Sequence, residues 1–316
     1  MEEIVKQLLT PGKGILAADE SFPTIEKRFA KINLESTSET RRTYRELLFS
    51  TPDLEKYISG MIMFDETIRQ QIPVNNQIVR GIKVDLGKVG FQGHSGEKVT
   101  QGLEGLGGRL KEYTKYGAKF SKWRAVFSIT ATTPSIECIE ENADRLAKFA
   151  KISQDEGLVP IVEPEVLMDG NHSIEKCAEV TRVVLKFVFL KLEQSGVLIS
   201  NTLLKPNMVL PGKDCLNKST PVEIAQRTLG VLKEAIPLKV PGVVFLSGGQ
   251  TPDEATENLR QINKLGGVPW QLSFSFGRAL QEPALAAWKG KKENIKKAQK
   301  SLLTRAKMNS EARYGR

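Results

Sequence analysis

The stretch Leu158-Val159-Pro160-Ile161-Val162-Glu163-Pro164-Glu165-Val166 decides the reading of the fold. Its first half is short, apolar and β-branched, the composition of a buried strand. Its second half carries two carboxylates spaced two apart, which on a strand point to the same side. Pro164 faces away, and its missing N–H is tolerable there because the ladder is expected to be ending. A buried strand that finishes in charge is thus the basic unit, and it recurs along the chain.

Similar segments occur at 14–19, 60–64, 81–85 and 120–127, and again at 201–209, 242–247 and 270–276. The stretches between them have helical periodicity. In Ser135 to Glu156, residues Ile136, Ile139, Ala143, Leu146, Ala147 and Ala150 share one face. Ser173 to Ser195, Thr220 to Ala235 and Pro252 to Leu265 behave likewise. Thr220-Pro221-Val222-Glu223 and Thr251-Pro252-Asp253-Glu254 each place Thr at the N-cap, Pro at the first helical position and Glu at the third. About eight strands alternating with helices in 316 residues predict an α/β fold, a single-domain (β/α)8 TIM barrel. A doubly wound open sheet is the alternative. It would normally carry a glycine-rich fingerprint after its first strand, and neither G-x-G-x-x-G nor G-x-x-x-x-G-K-[ST] stands there. The stretch Gly102 to Gly108 reads as a loop or helix approach after the third strand.

Composition narrows the class. With 40% hydrophobic and 26% charged residues, the chain is ordinary for a soluble enzyme with a sizeable core. The acidic start Met1-Glu2-Glu3 leads into no apolar run, so neither a secretory signal nor a membrane span is expected, and the cytoplasm is the expected location. Cys138, Cys177 and Cys215 form no C-x-x-C pair and read as free thiols. His94 and His172 are too few and too far apart for the usual zinc site, so neither a metal nor a cofactor is expected. Of the net charge of +9, the segment 289–307 supplies +7, from eight Lys/Arg and one Glu. Ile295, Ala298, Leu302, Leu303 and Ala306 recur within it at helical spacing. That predicts a basic amphipathic helix over about 289–312 with a solvated outer face, and no nucleic-acid partner; a surface for an anionic polymer or filament is the alternative.

Barrels of this kind do their chemistry at the C-terminal ends of the strands. Here those ends carry Asp19, Glu66, Lys83 with Asp85, Lys122 with Arg124, Glu163 with Glu165, Lys205, Ser247 and Ser275. Burying an ionised group unpaired is costly, so so many in one layer point to a site. Three lysines, 83, 122 and 205, among carboxylates are expected to lower one another's pKa, and a neutral amine is what attacks a carbonyl. Leu246-Ser247-Gly248-Gly249-Gln250 and Phe274-Ser275-Phe276-Gly277-Arg278 offer backbone N–H groups, hydroxyls and a guanidinium, which suit phosphate. Lysine chemistry on a phosphorylated carbonyl substrate is the function these residues suggest.

At these same residues the sequence resembles the class I fructose-bisphosphate aldolases. The resemblance is carried by Gly12 to Ser21, Gly81-Ile82-Lys83-Val84-Asp85, Lys122-Trp123-Arg124, Val159 to Glu165, Thr202 to Val209, Phe245 to Gln250 and Phe274 to Leu280. It implies a metal-independent, reversible cleavage of fructose 1,6-bisphosphate to dihydroxyacetone phosphate and glyceraldehyde 3-phosphate. Lys205 would be the Schiff-base lysine and Glu163 the main general acid/base, with Glu165 and Lys122 assisting. Asp19 would take the proton from the hydroxyl at the breaking carbon–carbon bond. Ser247, Gly248, Gly249, Ser275, Gly277 and Arg278 would cradle the 1-phosphate. Ser21, Thr24, Lys27, Arg28, Lys83 and Arg124 would meet the rest of the substrate and its distal phosphate. A homo-oligomer, usually a tetramer, is the assembly implied.

Some features depart from the family pattern. Thr24 stands where relatives often have Ser, and the segment between Thr67 and Gly81 is short. Asn201 replaces the usual small or acidic residue before the lysine strand. Animal and plant relatives end in a flexible tail with a Tyr that assists enamine protonation; here that route is expected to be absent, or to be served less directly by the candidate Tyr314. A related Schiff-base aldolase acting on sedoheptulose bisphosphate, and a scaffold role through the basic helix, are the alternative functions.

Overall fold

The apolar segments pair as eight parallel strands closed into a barrel, in a computed structural model that describes residues 1–316. The barrel strands are β1 (Gly14–Ala18), β2 (Ile58–Met63) and β3 (Val79–Lys83), then, after a short antiparallel hairpin of β4 (Lys88–Gly90) and β5 (Lys98–Thr100), β6 (Phe120–Phe127), β7 (Val159–Val166), β8 (Leu203–Leu204), β9 (Gly242–Phe245) and β10 (Gln271–Phe276). They follow one another around the barrel in chain order, and β10 closes on β1 through Ile15 opposite Ser275. Helix α1 (Glu2–Leu8) precedes β1; α2 (Phe22–Ala30) and α3 (Ser38–Phe49) follow it; α4 (Asp65–Arg69) follows β2. Around the outside run α5 (Leu106–Lys115), α6 (Ile136–Asp155), α7 (Ile174–Gln194), α8 (Pro221–Ala235), α9 (Pro252–Leu265) and α10 (Arg278–Trp288), and last α11 (Ile295–Ala312).

The helix starts arise locally. Thr220 and Thr251 accept hydrogen bonds from the backbone N–H groups of Glu223 and Glu254, and the Glu254 carboxylate returns to the Thr251 N–H. Pro221 and Pro252 occupy first-turn positions whose N–H has no partner anyway. Ser135 and Ser173 cap α6 and α7 in the same way.

Two apolar clusters hold the fold. The larger lies between the strands' outer faces and the helices; the smaller fills the barrel with Ile15, Ala17, Ile62, Val79, Phe120, Val159, Ile161, Leu203 and Val244. Val5, Leu8 and Leu9 of α1 and its end plug that interior from below. Gly242 is required there, because a Cβ would come to 2.4 Å of the Leu9 side chain.

Along four of the strands the inward column changes character from bottom to top. Val159 and Ile161 give way to Glu163 and Glu165, Phe120 to Lys122 and Arg124, Ile15 and Ala17 to Asp19, and Leu203 to Lys205. The period-two alternation of a strand therefore delivers the ionised groups to one end of the barrel.

The structure corrects three expectations. Strand β8 is two residues long rather than spanning 201–209, because Ile199–Asn201 forms a 3-10 turn and Pro206 has no N–H to extend the ladder. The β7 ladder does not end at Pro164; it runs on against β6 to Phe127 opposite Val166. It lapses only on the β8 side, which Val162 O and Val166 N–H face, and there the Lys205 N–H and the Asn207 side chain supply the last partners. Pro164 shares that side, so its missing N–H breaks no pair. Finally, the basic segment becomes α-helix only at Ile295, and its Arg305 points inward, not to solvent, pairing with Asp253 and donating to Thr256.

Candidate active site

The C-terminal ends of the strands surround one cavity of about 820 Å³. Every candidate residue named from the sequence lines it except three, Glu66, Gly249 and Tyr314. Glu66 is turned away and held by the Arg41 guanidinium, at 2.6 and 2.8 Å. Gly249 turns the chain at φ +79, and the Met168 side chain occupies the place a Cβ would take. Its role is therefore conformational: only glycine adopts that turn without strain so close to Met168.

Lys205, Lys122 and Glu163 stand at the centre, each about 4% exposed or less. Lys205 Nζ is 3.2 Å from Glu163 Oε1, and Lys122 Nζ lies 3.2 Å from Glu163 Oε2 and 2.7 Å from Asp19 Oδ2. The second of these contacts falls outside hydrogen-bond geometry, so Glu163 Oε2 keeps a free lone pair deep in the site. Lys83 pairs with Asp85 at 2.7 Å, and Arg124 pairs with Glu165.

The expectation that crowded lysines all lose basicity fails for Lys122. Burial alone would push its ammonium down, but Asp19, Glu163 and Asp85 more than offset that and hold it protonated, well above the usual lysine range. Burial would likewise raise Asp19, yet Lys122, Lys205 and Lys83 hold its carboxyl well below the usual carboxylate range. The lysines are interleaved with carboxylates rather than stacked against one another, so Lys122 acts here as a fixed cation.

The glycine-rich turns after β9 and β10 make the cradle. Ser247 and Ser275 are buried at its wall, and Ser275 Oγ has no hydrogen-bond partner. A Cβ on Gly248 would come to 2.5 Å of Glu165 Oε1, and one on Gly277 to 3.2 Å of Ala17 O, so a side chain at either position would crowd its neighbours where glycine leaves the backbone N–H groups open. Gly277 is the N-cap of α10 and Arg278 its first residue, which adds the positive end of a helix to the guanidinium.

After β1, Ser21 stands at the N-cap position of α2 without a side-chain cap hydrogen bond, its hydroxyl 3.2 Å from that of Thr24. Lys27 and Arg28 follow one turn later on the same helix. Arg28 is fixed by Glu20, which is buried and also held by Arg45 and by Gln281 at 2.8 Å. Arg28 and Arg45 offset the cost of burial and keep the Glu20 carboxyl below its ordinary range. Sequence reading missed Glu20, Arg45 and Gln281. Glu20 was adjacent to Asp19, but nothing in its spacing says that it turns outward to hold an arginine. Tyr314 lies at the opposite end of the barrel, against Gly12, and does not reach this cavity. No group of three or more His, Cys, Asp or Glu side chains is arranged to hold a metal ion.

The comparisons with known proteins agree along the whole chain. Residues 1–316 match the family described as fructose-bisphosphate aldolase class-I. The chain is 53% identical over 321 residues to fructose-bisphosphate aldolase 5, cytosolic, of Arabidopsis thaliana, covering 98% of this chain and 89% of that one. It is 48% identical over 326 residues to a probable fructose-bisphosphate aldolase class 1 of Xanthomonas campestris, covering 100% and 98%. Among solved structures, the fructose-bisphosphate aldolase of Plasmodium falciparum, in complex with TRAP and a small-molecule inhibitor, superposes with a TM-score of 0.96 at 50% identity, covering 99% of this chain and 94% of that one.

Proposed function

Because this chain belongs to the class I fructose-bisphosphate aldolase family, we propose that it cleaves its substrate through a Schiff base on Lys205. The observation that carries the assignment to these residues is the charge balance of the cavity. Nine lysines and arginines line it against five carboxylates. The excess of four, or three with the Lys205 amine neutral for attack, matches a sugar bisphosphate, since each phosphate monoester carries about −1.5 to −2 at neutral pH.

In this reading the neutral Lys205 amine attacks the ketose carbonyl and forms a carbinolamine. Glu163, at 3.2 Å from that amine, gives a proton to the departing hydroxyl, leaving an iminium and releasing water. Lys122, held charged, keeps Glu163 and Asp19 oriented and opposes any build-up of negative charge between them. Asp19, held ionised, accepts the proton of the hydroxyl on the carbon beyond the breaking bond. The bonding electron pair then moves into the iminium as an enamine, and the triose aldehyde leaves. Protonation of the enamine and attack by water return the free lysine and dihydroxyacetone phosphate.

The phosphate next to the reacting ketone belongs in the cradle of Ser247, Gly248, Ser275, Gly277 and Arg278. The unpartnered Ser275 hydroxyl is the group that most needs such a ligand. By the names of its plant relatives the cytosol is the location we infer, and a homo-oligomer the assembly, which light scattering would check.

Borohydride reduction in the presence of dihydroxyacetone phosphate, followed by peptide mapping, tests the assignment. The expected result is irreversible inactivation with the adduct on Lys205. Activity that resists trapping, or an adduct on Lys122 or Lys83, would overturn it.

A further inference from the structure

Most cations lining the cavity already have a carboxylate. Lys83 has Asp85, Lys122 has Asp19, Lys205 has Glu163, Arg124 has Glu165, Arg28 has Glu20, and Lys31 has Glu282. Three lack an ion-pair partner: Arg278, Lys27 and Lys88. Arg278 belongs to the cradle and Lys27 to the cluster after β1, which leaves Lys88 without a role in the site as described so far.

Lys88 opens the β4–β5 hairpin, which leaves the barrel between β3 and β6. Counted around the barrel these are the third and fourth strands, diametrically opposite the seventh and eighth, β9 and β10, which carry the cradle. The root of the hairpin is fastened down. Lys88 pairs with Thr100, whose hydroxyl donates to Arg124 O at 2.8 Å and whose N–H donates to Asn142. Leu86 N–H and Gln101 N–H close the neighbouring backbone pairs at 2.8 and 3.0 Å. Gly87, at φ +97, lets the chain turn between the barrel and the hairpin. The backbone of Lys88 is therefore fixed at the cavity wall, while its side chain ends in an ammonium with no hydrogen-bond acceptor.

We propose that Lys88 clamps the phosphate at the far end of the substrate and so sets the preference for a bisphosphate over a monophosphate. This rests on the lysine-aldolase reading above and extends it. A sugar whose first phosphate sits in the cradle and whose ketone meets Lys205 can present its other end to the part of the same cavity between the cluster after β1 and the wall below this hairpin. The partners of Lys83 and Arg124 on that wall already neutralise them, whereas Lys88 brings an uncompensated charge. Its surroundings agree: Lys88 is exposed, yet partial desolvation at the cavity wall, with Arg124 and Lys98 nearby, lowers its pKa, a penalty that a bound dianion would relieve. Lys98 stands on the partner strand, outside this cavity, and provides a control of equal charge.

Steady-state cleavage of fructose 1,6-bisphosphate and fructose 1-phosphate by the full chain tests the proposal. Lys88→Gln is expected to raise KM for the bisphosphate about tenfold with kcat little changed, the size of one lost charge-assisted contact. The monophosphate KM should stay put, Lys88→Arg should restore the bisphosphate KM, and added salt should shrink the difference between wild type and variant. Lys98→Gln should leave the discrimination between the two substrates intact. Equal shifts for both substrates, no shift for the bisphosphate, or a Lys98→Gln variant that reproduces Lys88→Gln would each overturn the clamp. Trapping of wild-type protein with dihydroxyacetone phosphate, which has no far phosphate, reports separately on the underlying lysine-aldolase reading.

Discussion

The two ends of the barrel both bury cations, and they do it by opposite means. At the top, Lys205, Lys122, Lys83 and Arg124 each face a carboxylate, and the cavity in front of them is open. At the bottom, Arg313 is buried with no carboxylate at all. Its five N–H groups donate to the backbone oxygens of Leu9, Thr10, Lys13 and Leu272 and to the Gln271 side chain. Burial pushes the Arg313 pKa down to about 10, still high enough to stay charged at neutral pH. A carboxylate partner can be exchanged for a phosphate or can move a proton, whereas backbone carbonyls can do neither. The top is thus built for exchange. The bottom is a staple that ties the end of α11 to the turn before β1 and the start of β10.

That contrast can be broken from either end. Lys205→Ala should lower kcat by about a thousandfold or more and abolish borohydride trapping, with circular dichroism and Tm near wild type, because the nucleophile carries the chemistry and little of the packing. Retained trapping in that variant would place the Schiff base elsewhere. Lys122→Met is expected to cost about a hundredfold in kcat and about 3 kcal/mol in urea unfolding, since three carboxylates around it lose their buried cation. Loss of stability without loss of rate would reduce Lys122 to a structural charge.

Arg313→Met should invert the pattern: a stability loss of about 2–3 kcal/mol from orphaned acceptors, with kcat and KM close to wild type. If kcat fell as far as stability, the two ends would not be independent. The smallest effect belongs to His172, buried near the rim with neither ring nitrogen hydrogen-bonded. Burial lowers its pKa below the ordinary 6.5, so the unfolded chain binds the proton first as pH falls. Folding stability should therefore decline below about pH 6.5 and not above it. His172→Gln should flatten that slope, and an unchanged slope would move the titration to another group.

Much of the fold was legible because its signals are local. Strand β6 and helix α9 appear with the boundaries read from the sequence, and α6, α7 and α8 within a residue or two, because their caps and apolar periodicities are written into consecutive residues. Strand β8 was overextended because Pro206 and the Ile199–Asn201 turn interrupt an otherwise strand-like run. Arg305 was misplaced on the outer face because helical spacing alone cannot tell a solvated arginine from one drawn inward by Asp253 and Thr256.

The sequence by itself determined that charged groups cap buried strands, and hence that Lys205, Glu163, Asp19 and their neighbours would meet at one end of a barrel. A period of two along each strand and the shared direction of parallel strands suffice for that. Only the tertiary structure decided which charge faces which. Lys122 belongs to Asp19, Arg28 to Glu20, Arg313 to five neutral acceptors, and Lys88 to no residue of the protein. Those pairings depend on distances of a few ångströms between residues far apart in the chain, and at low dielectric it is such distances that fix which group stays charged.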